Sequence, residues 1–301
     1  MSKVAFLFPG QGAQYIGMGR QLRETVPAAA KLFDDAEKIL GYNLGEVCAN
    51  GPAEQLNSTA LSQPAIYVTS LAALESLRTT DPDAVEQSSA AAGLSLGEYS
   101  ALAFAGAMSF EDGLRVVRRR GEAMQEAADA TPGGMVSVLG LEQSKIEELC
   151  TLARSHGILE VANLLCPGNI AVSGTKAACD AMSALVAEAG GKSVRLAVAG
   201  AFHTTLMRPA DRKLEEALAH VKILSPRIPV WSNVDAQPHT SPDAIRRLLV
   251  EQVLRPVLWE DTLRALLAAG YEKFYEIGPG RVLAGLLKRV QRKIDCRNVG
   301  G

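Results

Sequence analysis

Apolar residues fill positions 4–8 without interruption and stop at Pro9-Gly10. A short continuous apolar run closed by turn residues predicts a strand covered on both faces. Helical spacing then continues to about Leu40. Asn57-Ser58-Thr59 leads toward a long helix over 65–78, with Pro64 in its first turn, where the missing N–H is harmless. Residues 88–93 are small and apolar and predict a second strand. Residues 96–107 and 111–128 predict two helices, and in the second Leu114, Val117 and Met124 recur at helical spacing.

The pattern changes at Thr131-Pro132-Gly133-Gly134. Strand-like stretches at 135–141, 159–163, 169–173 and 193–198 alternate with helical ones at 143–154 and 175–189. This β-α-β-β-α-β order is the ferredoxin-like pattern. It predicts a small subdomain, 131–198, inserted into a larger one made of 1–130 and 199–301. Strand patterns return at 226–233 and at 273–277, the latter closed by Gly278-Pro279-Gly280. The alternation in the larger part predicts an α/β fold with a parallel sheet covered by helices.

Composition narrows the class. The chain is 48% hydrophobic and 21% charged, with a net charge of −2 and a pI near 6.1. That balance argues against a nucleic-acid or membrane-surface protein, which carries a basic patch. The densest basic stretch, 281–297, reads either as a solvated terminal helix or as a docking surface for an acidic partner. Cysteines stand at 48, 150, 166, 179 and 296. Their odd number and wide spacing suit neither a zinc knuckle nor a redox pair, and point to reduced thiols in a cytoplasmic compartment. The apolar run near the N-terminus is too short for a secretory signal, and no stretch approaches the roughly 18 apolar residues of a membrane span.

Chemistry concentrates at Gly93-Leu94-Ser95-Leu96-Gly97, a G-x-S-x-G sequence between a predicted strand and a predicted helix. That context is the nucleophile elbow of α/β-hydrolase-like folds. Glycines are needed where the turn is sharp and neighbouring backbone passes close. The serine then projects at a helix N-terminus, where free N–H groups stabilise negative charge. An ordinary helix-capping serine is the bland alternative.

A serine hydroxyl needs a base. His156, His220 and His239 sit in polar loops or at the end of a charged helix. His203 follows Val198-Ala199-Gly200-Ala201-Phe202, and the small apolar surroundings predict a tight, partly dry pocket suited to a general base. Asp112, Asp129 and Asp180 fall between Ser95 and His203, but each reads as a helix-start or surface residue. A Ser-His dyad whose imidazole is oriented by a neutral carbonyl fits better than a triad.

With these residues in place, the chain resembles the malonyl-CoA:acyl carrier protein transacylases of fatty acid synthesis and, more distantly, the acyltransferase domains of polyketide synthases. The resemblance runs over nearly the whole chain. It rests on F-P-G-Q-G at Phe8, Q-P-A at Gln63, G-L-S-L-G-E-Y at Gly93, R-R-G at Arg119, G-A-F-H at Gly200 and E-I-G-P-G at Glu276, in the family's order. It implies that Ser95 carries the acyl group as an ester and that His203 is the base. It implies that Arg120 pairs with the malonyl carboxylate, a role suited to its planar fork. Gln11 and Leu96 would give backbone N–H groups to the oxyanion, the Gln252 main-chain carbonyl would orient His203, and Asn163 would lie near the site. Phenylalanine at 202 goes with malonyl rather than methylmalonyl in the related polyketide domains, because the ring fills the space of a 2-methyl group.

Three departures from the family pattern stand out: Leu94 where histidine is frequent, Leu165-Cys166-Pro167-Gly168-Asn169 in place of N-S-P-G-Q, and Thr204-Thr205 after the histidine. The resemblance further implies a monomeric enzyme without metal or cofactor. Its substrates would be malonyl-CoA and an acidic acyl carrier protein, the latter met by Lys288, Arg289, Arg292, Lys293, Lys192 and Arg195. The competing expectation is a serine thioesterase or esterase using the same Ser95 and His203.

Overall fold

A computed structural model of the chain describes residues 3–300. Its first strand, β1 (Lys3–Phe8), is buried on both faces beyond Lys3, which is why the sequence there is continuously apolar rather than alternating. Helix α1 (Thr59–Thr80) follows after further helices between Arg20 and Asn57, the longest of them Pro27–Leu40. Strand β2 (Ser88–Gly93) consists of serine, alanine and glycine alone. Such small side chains let helix α2 (Gly97–Phe104) pack close to it, while helix α3 (Phe110–Ala130) packs along α1.

Next come β3 (Gly133–Leu139), α4 (Gln143–Ala153), β4 (Leu159–Cys166), β5 (Asn169–Thr175), α5 (Lys176–Glu188) and β6 (Lys192–Arg195). The chain ends with β7 (Val230–Trp231), β8 (Pro238–His239), α6 (Pro242–Glu251), β9 (Val257–Leu258), β10 (Tyr271–Ile277), α7 (Val282–Val290) and β11 (Asp295–Val299).

Two sheets result. The larger has the order β11-β10-β1-β2-β7-β8, with every pairing parallel except β7 with β8. The smaller has the order β6-β3-β5-β4-β9, and its first four strands pair antiparallel in the ferredoxin-like sequence. Strand β9 joins it parallel to β4 through Asn163 and Leu164, so the smaller sheet is completed by chain from beyond residue 198. One apolar core lies between the large sheet and α1, α2 and α3. A second covers the sheet's other face around Trp259 and Phe274, and a third sits under α4 and α5 around Val136, Ile146 and Met182.

The structure corrects three expectations. Pro64 lies inside α1, not in its first turn, because the helix begins at Thr59. A proline there removes one helical hydrogen bond. Burial of nearly every residue between Ser62 and Leu74 holds the helix together instead. The strand expected over 226–233 shrinks to Val230–Trp231, since only there does the chain pair with Ala91 and Ala92 of β2. The basic stretch 281–297 is not one solvated helix. Leu283, Leu286 and Leu287 of α7 are buried, and β11 then pairs along β10 from Lys273 to Ile277.

Candidate active site

The turn from β2 into α2 is forced by close backbone contacts. A Cβ on Gly93 would stand 1.9 Å from the Gly97 carbonyl carbon, and one on Gly97 would stand 2.0 Å from the Phe8 oxygen. Between them Ser95 takes a φ of 50°, in the left-handed region. Such a conformation costs a non-glycine residue about 1–3 kcal/mol and persists only where surroundings over-determine it. Here Asn233 does so. Its Oδ1 accepts the Ser95 N–H at 2.6 Å, and its Nδ2 donates to the Gly93 carbonyl at 2.8 Å.

His203, 4% exposed, also has a positive φ, 61°. The two threonines after it pin the loop. Thr204 Oγ1 donates to the Ala201 carbonyl at 2.7 Å, and Thr205 Oγ1 donates to Glu160 at 2.7 Å. His203 Nε2 stands 2.9 Å from Ser95 Oγ, and Nδ1 stands 2.8 Å from the Gln252 carbonyl. A carbonyl can only accept, so Nδ1 carries the proton and Nε2 is free to take one from the serine. Burial, and then the charge of Arg120, lower the imidazole pKa to about 4, against the pull of the Gln252 carbonyl. The three aspartates between Ser95 and His203 in the sequence lie elsewhere: Asp112 pairs with Arg115, Asp129 accepts from Gln125, and Asp180 pairs with Arg195. His156 and His220 are exposed, and His239 pairs with Asp235.

Arg120 projects from α3 and is 1% exposed. Its Nη1 donates to Gln63 Oε1 at 2.8 Å, and its Nη2 stands 3.0 Å from both Gln252 Oε1 and Ser95 Oγ. The guanidinium lies over the Tyr99 ring at 5.4 Å. Its Nε has no partner, and no carboxylate pairs with it among the described residues. Burial lowers its pKa, while Tyr99 and Glu98 act in the opposite sense. A buried cation held by neutral amides is costly unless an anion completes it.

These groups open on one cavity of about 80 Å³. Gln11, Leu96, Asn163 and Phe202 line it together with Ser95, His203 and Arg120, and Met124, Met135, Leu196 and Val198 supply an apolar side. The N–H groups of Gln11 and Leu96 are engaged by no acceptor among the described residues. The Asn163 Oδ1 is likewise unpartnered. Gln252 is fully buried behind the cavity. The altered stretch 165–169 ends β4, turns at Pro167-Gly168 and begins β5, and is not part of the lining. Leu94 is part of it, as an apolar side chain. Among the described residues no cluster of His, Cys, Asp and Glu has the arrangement to hold a metal ion.

Three buried polar residues of this site went unread in the sequence. Gln63 and Glu98 stood inside recognised motifs without a role. Asn233 follows the apolar pair Val230-Trp231, and a polar Ser232-Asn233 there was its only signal. Glu98 is buried, and burial raises its carboxyl pKa to about 7, although the Asn233 N–H and Gln252 Nε2 both donate to it.

The family model described as the acyl transferase domain matches residues 5–299. The malonyl CoA-acyl carrier protein transacylase of Bacillus subtilis is 44% identical over 298 residues, which cover 98% of this chain and 92% of that protein. The crystal structure of the acyl-carrier-protein-S-malonyltransferase of Bartonella henselae superposes with a TM-score of 0.95 at 36% identity, covering 99% of this chain and 96% of that one. A malonyl-transacylase solved in complex with its type II PKS acyl-carrier protein superposes at 0.94, also with 36% identity and with 99% and 96% covered. The chain therefore belongs to the acyl transferase family, among the malonyl CoA-acyl carrier protein transacylases.

Proposed function

We propose that this enzyme transfers malonyl from malonyl-CoA to the phosphopantetheine thiol of an acyl carrier protein, in fatty acid synthesis, through an ester on Ser95. In the first half-reaction His203 Nε2 takes the Ser95 proton as Oγ attacks the thioester carbon. The N–H groups of Gln11 and Leu96 receive the oxyanion, and the tetrahedral adduct expels CoA thiolate, which takes the proton back from His203. In the second half-reaction the carrier thiol gives its proton to His203 and attacks the ester, and Ser95 leaves with that proton. No cofactor enters either step. Oxyanion donors carry most of the acceleration in such chemistry, each worth about 100-fold or more.

The observation that carries the reading is Arg120: a buried guanidinium without a carboxylate partner, 3.0 Å from Ser95 Oγ. A serine esterase has no use for such a charge, whereas a malonyl group supplies the missing carboxylate. The five free cysteines support a reducing compartment, which we take to be the cytoplasm. No helix among the described residues is long and apolar enough to cross a membrane. For the carrier we propose a docking edge at Lys192 and Arg289. Lys192 pairs across β3 from Asn169, and Arg289 donates to the Pro167 carbonyl of the same turn at 3.0 Å.

The test is incubation with labelled malonyl-CoA and no acceptor, followed by intact-protein mass measurement. A stable malonyl adduct on Ser95, discharged on adding holo-acyl carrier protein, is the expected outcome. Continuous release of malonate without an adduct would replace the reading with a thioesterase.

A further inference from the structure

We propose that Glu98 is a positioning residue that fixes which way the Gln252 side-chain amide faces and thereby aims Arg120 at the acyl group. This rests on the malonyl-transfer reading of the same site. Glu98 lies in the first turn of α2, three residues beyond the nucleophile, and is buried. Its backbone N–H donates to the Ser95 carbonyl at 3.2 Å, but among the described residues its carboxyl has no hydrogen bond to Ser95, His203 or Arg120. Its Oε2 receives the Asn233 N–H at 3.0 Å and Gln252 Nε2 at 2.7 Å. Those two residues hold everything else: Asn233 clamps the elbow, and Gln252 touches both His203, through its backbone carbonyl, and Arg120, through Oε1.

The logic is one of donors and acceptors. Rotating a glutamine amide by half a turn exchanges its oxygen and its nitrogen with almost no change of shape. At Gln252 the exchange matters, because the oxygen end meets a guanidinium, which only donates. The nitrogen end meets three acceptors: Glu98 Oε2, the Ser95 carbonyl at 3.1 Å and Asn233 Oδ1 at 3.2 Å. Of these, Glu98 is the shortest contact and the one that carries charge. While Oε2 receives two N–H groups it has no proton to give, whether or not the other carboxyl oxygen is protonated. Glu98 therefore rejects the flipped amide. A flipped amide would set Nε2 against Arg120 Nη2, donor against donor, and deny the guanidinium its aim. When ionised, the carboxyl also partly offsets the cost of burying Arg120 beyond the amide.

An amide in place of the carboxyl, Glu98→Gln, keeps the shape and weakens the rule, since it carries no charge and can turn its nitrogen toward Gln252 at the cost of the Asn233 N–H bond. Acylation kcat and KM are measured with malonyl-CoA and with acetyl-CoA, in the wild-type and Arg120→Ala backgrounds. The preference of the wild type for malonyl, and its loss in Arg120→Ala, judge the function itself. The effect of Glu98→Gln judges the positioning role alone. We expect kcat/KM for malonyl to fall about tenfold or more, the scale of one hydrogen bond to a charged group. Acetyl should change by less than about threefold, within the spread of a neutral hydrogen bond. In the Arg120→Ala background Glu98→Gln should leave the preference where it is.

Gln252→Met provides a second variant, since it keeps the backbone carbonyl on His203 and deletes the amide link. It should lose malonyl preference to the same extent, and adding Glu98→Gln to it should change the preference no further. Parallel losses for malonyl and acetyl, or an equal loss of preference with and without Arg120, would overturn the proposal and leave Glu98 a structural residue.

Discussion

The cavity has two unlike walls. One is polar and comes from the elbow, α1, α3 and the turn after α6. Ser95, His203 and Arg120 face the cavity there, with Gln63, Gln252, Asn233 and Glu98 behind them, all joined by hydrogen bonds of 2.6–3.2 Å. The other is apolar and comes from β3, the segment after β6, α3 and the loop before His203, with Met124, Met135, Leu196, Val198 and Phe202. Directional bonds in a dry site accept one geometry, so in the proposed reaction the polar wall decides whether transfer occurs and which charge is admitted. The apolar wall contacts without direction, and its methionines are adaptable. It can grade acyl groups by size but cannot select a charge. Losses on the first wall should therefore be steep and on the second shallow.

The largest break is Ser95→Ala. It should abolish the malonyl adduct seen by intact mass and cut transfer by about 10⁴-fold or more, as removal of a nucleophile does elsewhere. Next in size is Arg120→Ala. Losing hydrogen bonds to a charged group in a buried site should lower kcat/KM for malonyl by about 100-fold. Transfer of acetyl, which lacks the carboxylate, should rise relative to malonyl. An unchanged malonyl-to-acetyl ratio would mean that the polar wall does not read charge, and the contrast between the walls would collapse.

The third test uses pH. In the proposed mechanism His203 serves as a base only when neutral, and burial together with Arg120 lowers its pKa to about 4. Acylation should keep its His203-dependent rate down to about pH 5 and fall tenfold per unit below about 4. In Arg120→Ala one of the two lowering causes is gone, so the acid limb should move up toward the ordinary histidine value near 6.5. Rapid pH-jump acylation measures both limbs. A limb that stays in place would uncouple the base from the anion site.

The same contrast explains what the sequence disclosed. The polar wall is built from local constraints that leave letters behind: glycines where backbones touch at Gly93 and Gly97, a serine at a strand-to-helix turn, and histidine among small residues. Ser95 and His203 were legible from those features alone. Arg120 and Gln252 were not, because a buried arginine in Arg118-Arg119-Arg120 looks like an exposed one until the fold brings Gln63, 57 positions earlier, to it. Asn233 was invisible for the same reason, since it meets Ser95 across 138 residues. The apolar wall left almost nothing to read. Leu196 and Val198 follow an edge strand and look like any other apolar positions until the small sheet folds over the elbow. Pro64 and the 281–297 stretch misled because tertiary burial outweighed local propensity.

The smallest expected effect tests the shallow wall directly. Phe202 is 5% exposed and lines the cavity beside His203. Phe202→Ser removes a ring and opens room where a 2-methyl group would lie. A single methyl is worth about 1–3 kcal/mol in an apolar pocket, so methylmalonyl should gain roughly tenfold against malonyl and no more. Emptying a packed aromatic site also destabilises, by about 3–5 kcal/mol for a full truncation to alanine. Melting must therefore be followed beside the kinetics, and the comparison made well below the variant's midpoint. Because Arg120 and Gln252 are untouched, the malonyl-to-acetyl ratio should stay near its wild-type value. The effects of Phe202→Ser on size and Arg120→Ala on charge should then add in the double variant, as they do for sites without shared partners. If Phe202→Ser instead erodes the malonyl-to-acetyl ratio, the ring is holding the guanidinium in place, and size and charge are read by one wall rather than two.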